Sequence, residues 1–167
     1  MACLVNPHEQ TPGNPLDLLE ELVTANDWQF DRTSDSELAI QVRGRWADYN
    51  LWSMWNEDLR AIYFACHFDS RVPEAKKPRV HELLALFNET LWMGHFDITR
   101  EDGGILFRHT VPLRGTRGAS VEQLEDLVDS AVNECERFYP ALQLVVWGGA
   151  ESADAMAVTL MDTEGEA

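Results

Sequence analysis

Residues 37–68, "ELAIQVRGRWADYNLWSMWNEDLRAIYFACHF", decide the fold. Apolar and polar residues alternate along them, the period of strands with one buried face. Two polar breaks, Gly44-Arg45 and Asn56-Glu57, divide the stretch into strands over 37–43, 46–55 and 59–68. Strands joined by such short turns pair antiparallel. A Gly44-Arg45 turn sets Arg43 opposite Trp46, Ile40 opposite Tyr49 and Leu38 opposite Leu51. An Asn56-Glu57 turn sets Leu51 opposite Ile62 and Tyr49 opposite Phe64. One face then gathers Leu38, Ile40, Val42, Tyr49, Leu51, Ile62, Phe64, Cys66 and Phe68, the expected core. The other gathers Gln41, Arg43, Trp46, Asp48, Asn50, Trp52, Tyr63 and His67.

Upstream, "TSDS" separates a further strand over 28–32. Before it, "NPLDLLEELV" opens a helix: Asn14 caps it and Pro15 suits its first position. Leu16, Leu19, Leu22 and Val23 form its apolar stripe, and it should end near Asn26. Downstream, Val80, Leu83, Leu84, Phe87 and Leu91 predict a helix over 74–92, stopped by Gly94. "GHFDITREDGGILFRHT" follows, a hairpin around Asp102-Gly103. A two-residue turn there pairs Ile98 with Phe107, Asp97 with Arg108 and Phe96 with His109. A third helix starts at Ser120, with Gln123 completing a capping box. Beyond Pro140, "LQLVVW" reads as a buried strand or as continued helix to Gly148-Gly149, with the helix preferred. The order is α-β-β-β-β-α-β-β-α. It predicts an α+β domain over 14–149: an antiparallel sheet of about six strands with three main helices on one face. Residues 1–13 read as a flexible arm. Residues 150–167 read as an acidic tail with a short helix at 153–161.

The chain has 167 residues, one domain's worth, and a formal charge of −16. Such a chain repels phosphates and anionic lipids, which argues against nucleic acid or membrane partners. Its three cysteines, Cys3, Cys66 and Cys135, form no C-x-x-C pair and leave an odd thiol. No stretch resembles a signal peptide or a membrane span, so the expected location is the cytoplasm.

His67, His81, His95 and His109 recur every 14 residues. That interval matches no structural period, and strand parity puts His95 and His109 on opposite faces. No metal and no cofactor are expected. "VPLRGTRGAS" leads into a helix N-terminus that resembles an anion cradle, but it lacks a phosphate-loop Gly-Lys-Ser/Thr. "RVPEAKKPRV" holds both lysines and reads as the solvated start of a helix. No nucleophile elbow, Cys–His pattern or dinucleotide glycine motif occurs, so no catalytic residue is assigned. The candidate partner-binding residues are Trp46, Trp52, Tyr63 and His67, large rings on an otherwise polar sheet face. The competing reading is that a helix, the chain's own tail or a symmetric subunit covers that face.

Two segments carry a family resemblance: "ELLALFNETLWMGHFDITREDGGILFRHTVPL" and "EQLEDLVDSAVNECERFYPALQLVVWGG". They resemble the YbjN-domain family of bacterial proteins, in the version seen in alphaproteobacteria. The shared marks are Asn88, Gly94-His95-Phe96, Phe107-Arg108-His109 and the run from Glu136 to Ala141, and the likeness extends over 14–149. The resemblance implies a fold like that of type III secretion chaperones. It also implies a role in sensory transduction or stress regulation, with no defined biochemical activity and no catalytic residues. The expected function is that of a non-enzymatic interaction module, which buries an apolar segment of a partner. The alternative is a small-ligand sensor with a pocket between sheet and helices. Such chaperones are commonly dimers, so the resemblance also implies a homodimer.

Overall fold

The computed structural model describes residues 13–161. The elements are α1 (Pro15–Ala25), β1 (Gln29–Ser34), β2 (Glu37–Arg43), β3 (Asp48–Asn56), β4 (Ala61–Arg71), α2 (Lys77–Asn88), β5 (His95–Ile98), β6 (Gly104–Pro112), α3 (Val121–Val146) and α4 (Ser152–Met161). A single 3₁₀ turn, Glu74–Lys76, leads into α2. The strands form one antiparallel sheet in the order β1-β2-β3-β4-β6-β5. The expected architecture is thus the observed one, and the short helix expected in the tail is α4. Residues 1–12 and 162–167, which hold most of the arm and the end of the tail, lie outside the described residues.

Strand parity places the core as expected. The nine residues assigned to the buried face are each at most 7% exposed. The apolar stripes of α1, α2 and α3 join them in one cluster, so these helices share a face of the sheet. Its centre is a set of packed rings. Phe96 lies 4.5 Å from Phe138 and 5.2 Å from Phe107, and Phe87 lies 4.9 Å from Phe138.

The registers differ from the expected ones, and the reasons are local. Ile40 faces Leu51 rather than Tyr49, and Arg43 faces Asp48 rather than Trp46. The β2–β3 connection therefore takes four residues, 44–47, because Glu136 of α3 reaches into it. Glu136 Oε1 accepts the backbone N–H of Arg45 at 2.6 Å and of Trp46 at 3.4 Å. Only glycine fits at position 44, where a Cβ would collide with that carboxylate and the Tyr49 ring. Leu51 faces Cys66 rather than Ile62. Here Asn56 Oδ1 takes the Leu59 N–H at 2.9 Å and Arg60 adopts φ +49°, making a longer loop. Ile98 faces Ile105 rather than Phe107, and Phe96 faces Phe107 rather than His109. That loop is closed by Thr99, which bonds the Gly104 carbonyl through its backbone N–H at 2.9 Å. Every correction moves a partner by an even number of residues, so no side chain changes face.

Helix ends follow capping chemistry. Asn14 Oδ1 takes the Leu16 N–H at 3.0 Å, and Ser120 and Gln123 form the capping box of α3. Pro140 sits inside α3 without ending it, as preferred from the sequence. α2 stops at Asn88, earlier than the expected end at 92. Asn88 turns its carboxamide onto β5, with Oδ1 accepting the Phe96 N–H at 2.8 Å and Nδ2 donating to the Phe96 carbonyl at 3.1 Å. Gly94 enters β5 at φ +67°, where a Cβ would strike the Phe107 ring. α4 docks on α2 and α3. Arg79 pairs with Glu151 at 2.7 Å, and Ser152 Oγ donates to the Arg79 carbonyl at 2.9 Å.

Candidate functional site

With three helices on one face, the other face of the sheet has no helix over it among the described residues. The register lays its side chains in rows across the strands. One row runs Gln29, Gln41, Asn50, His67, Leu106, Asp97. The next runs Asp31, Ala39, Trp52, Ala65, Arg108, His95. A third holds Glu37, Met54, Tyr63 and Thr110. Trp52 thus stands between two alanines, with Tyr63 and His67 as its diagonal neighbours on β4.

Small residues beside a large one leave a hollow. A depression of ≈ 460 Å³ lies over β1–β4, and its side chains include Gln29, Asp31, Gln41, Asn50, Trp52 and His67. Trp52 and His67 therefore meet at one site. Burial pulls the His67 pKa below its ordinary value, against the smaller opposing pull of Asp102. That shift favours the neutral imidazole. The carboxamides of Gln29, Gln41 and Asn50 make no hydrogen bond among the described residues, and Asp31 has no ion pair there.

The other two candidates lie elsewhere. Tyr63 borders a separate hollow of ≈ 300 Å³ with Gly94, His95, Arg108, His109 and Thr110. In it Arg108 Nε donates to His95 Nε2 at 2.9 Å, and the guanidinium pairs with Asp97 at 2.8 Å. Burial, and then the neighbouring His95, lower the His109 pKa. Trp46 belongs to the β2–β3 loop and not to a paired strand, with Arg45 over its ring at 4.8 Å. The sequence reading missed Gln29 and Asp31. Both come from edge strand β1, whose register no turn dipeptide announces.

The remaining motifs are structurally engaged. The first turn of α3 is closed by its own capping box, which uses N–H groups an anion would need. Three of the four cations of "RVPEAKKPRV" are in ion pairs: Arg71 with Asp102 at 3.9 Å, Lys77 with Glu74 at 2.6 Å and Arg79 with Glu151 at 2.7 Å. Among the described residues, no group of three or more His, Cys, Asp or Glu is arranged to hold a metal ion. Cys66 and Cys135 are fully buried, and burial raises the Cys135 thiol well above its ordinary value. Among the described residues no helix is long and apolar enough to cross a membrane.

Comparison with known proteins gives structural neighbours and a family. The chain is similar to the crystal structure of YbjN from E. coli, named there as a putative transcription regulator. The TM-score is 0.53 at 12% identity, over 90% of this chain and 94% of that one. At that identity the likeness establishes the fold. No curated protein matches. The model of the YbjN family, described as "Putative bacterial sensory transduction regulator", matches residues 15–144. That span runs from the first residue of α1 almost to the end of α3 and takes in all six strands. The chain belongs to the YbjN family.

Proposed function

We propose that this protein is a non-enzymatic interaction module of a bacterial regulatory system, and that the helix-free face of the sheet receives a protein partner. One observation carries the reading. Trp52 and His67 meet in a hollow whose three carboxamides make no hydrogen bond among the described residues. Polar groups arranged around an aromatic anchor are the composition of a recognition patch. The alternative pocket between sheet and helices has less support, because that space holds the rings of Phe68, Phe87, Phe96, Phe107 and Phe138.

The test is affinity capture from extract of the source bacterium, comparing the unaltered chain with Trp52→Ala and Trp147→Ala. Trp147 is 68% exposed at the end of α3 and serves as a counterpart on the helical side. Trp52→Ala should abolish or sharply weaken capture, and Trp147→Ala should not. Capture that survives Trp52→Ala would refute the assignment.

A further inference from the structure

We propose that the segment received by this face is basic: a peptide that lays an arginine or lysine side chain against Trp52 with its charge directed to Asp31. The proposal deepens the docking-face reading and rests on it.

Charge complementarity is the first argument. Asp31 is the one charged group among the side chains that line the Trp52 hollow, and no lysine or arginine lines it. An adjoining hollow shares Gln29 and Gln41 and adds Asp27, Trp28, Arg43 and Asp48. Its single cation, Arg43, is already drawn to Asp48 at 4.0 Å. Asp27 and Asp31 have no ion pair among the described residues. Desolvation biases His67 toward its neutral form, so it offsets them little. The chain as a whole, at −16, attracts cations from a distance.

Hydrogen-bonding capacity is the second argument. An apolar segment laid over Gln29, Gln41 and Asn50 would bury carboxamides without partners, which is costly. A guanidinium or ammonium group supplies N–H donors to their carbonyl oxygens and to Asp31. An acidic segment would face Asp27 and Asp31 with like charge. The indole adds cation–π attraction for the same ligand, and its alanine neighbours leave room for a long stem. The expectation of an apolar partner segment is thereby replaced by one with an aliphatic stem and a cationic head.

The experiment uses the full ¹⁵N-labelled chain. It is titrated with acetyl-Gly-Arg-Gly-Arg-Gly-Arg-amide, and separately with the glutamate counterpart. Shifts should concentrate on the Trp52 indole N–H and the Gln41 and Asn50 side-chain amides, for the arginine peptide only. Asp31→Asn should weaken binding about threefold, and Trp52→Leu by at least as much. Asp129→Asn removes the same charge from an exposed position on α3 and should change binding by less than about 1.5-fold. Unchanged circular dichroism establishes that the variants are folded. Shifts scattered over the helices, equal losses for Asp31→Asn and Asp129→Asn, or equal binding of the glutamate peptide would overturn the basic-partner inference. If capture from extract still depends on Trp52 after such a result, the docking face stands and only the partner's charge is wrong. If the peptide binds as described but capture ignores Trp52, the docking reading falls.

Discussion

Asn88 offers a sharp test of how the edge of this sheet is held. β5 has four residues and pairs only with β6, so its outer backbone has no strand partner. Asn88 supplies one, taking the Phe96 N–H at 2.8 Å and donating to the Phe96 carbonyl at 3.1 Å. Asn88→Ala removes both bonds. At about 0.5–1.5 kcal/mol each, the loss is about 1–3 kcal/mol. Alanine's higher helix propensity returns about 0.6 kcal/mol, leaving a net cost of about 0.5–2.5 kcal/mol. Asn88→Asp keeps the acceptor but sets a carboxylate oxygen against the Phe96 carbonyl, at a helix C-terminus that disfavours negative charge. It should destabilise at least as much as alanine. Urea unfolding followed by tryptophan emission and far-ultraviolet circular dichroism reads both, as a lower midpoint at unchanged slope. Amide exchange at Phe96 should quicken in each variant. A loss below about 0.3 kcal/mol for both substitutions, with Phe96 still protected, would refute the reasoning.

Three further outcomes concern a core hydroxyl, two histidines and the buried thiols. The Ser53 hydroxyl is buried with no hydrogen-bond partner among the described residues, whereas the Tyr49 hydroxyl lies beside the Glu136 carboxylate. Ser53→Ala should therefore be neutral or stabilising by up to about 1 kcal/mol, and a loss above that in urea unfolding would show a missed partner. His67 and His109 have pKa values below the ordinary 6.5 in the folded chain, chiefly through burial. The unfolded chain takes up these protons first, so their contribution is complete above 6.5 and declines as pH falls from there through the folded values. Imidazole proton titration should place both midpoints under 6.5, and a His67→Asn/His109→Asn variant should lose less stability between pH 7.5 and 5. A midpoint above 6.5 would contradict the burial argument. In a Cys3→Ser background, the Cys66 and Cys135 thiols should react with a disulfide reagent only at the rate of unfolding. Rapid native modification would place them outside the core.

Much of this fold was legible because parity tolerates register error. The sequence reading misplaced the partners of Ile40, Leu51 and Ile98, yet each displacement was even and the buried set came out intact. Turn dipeptides locate a hairpin, but the loop length depended on Glu136, which lies 91 positions from Arg45. No local rule sees that carboxylate. The end of α2 was misread for a similar reason. Asn88 looks like one more polar helical residue until β5 lies beside it. At the candidate site, alternation alone places Trp52 and His67 on the polar face. Trp46 was lost to the loop that Glu136 widens. Gln29 and Asp31 were missed because their place depends on the pairing of an edge strand. The hollow itself comes from Ala39 beside Trp52, a juxtaposition of two strands that only the correct register reveals.

A partner docked on the helix-free face of the sheet would lie within reach of Gln41 and far from Glu125. Site-specific photo-crosslinking measures this most directly. A benzophenone side chain is placed at exposed Gln41 on that face, or at exposed Glu125 on α3, and irradiated in cells of the source bacterium. A discrete protein adduct should form from position 41 and disappear with Trp52→Ala, and none of the same mass should form from position 125. An adduct from position 125 alone, or equal adducts from both, would contradict docking on that face.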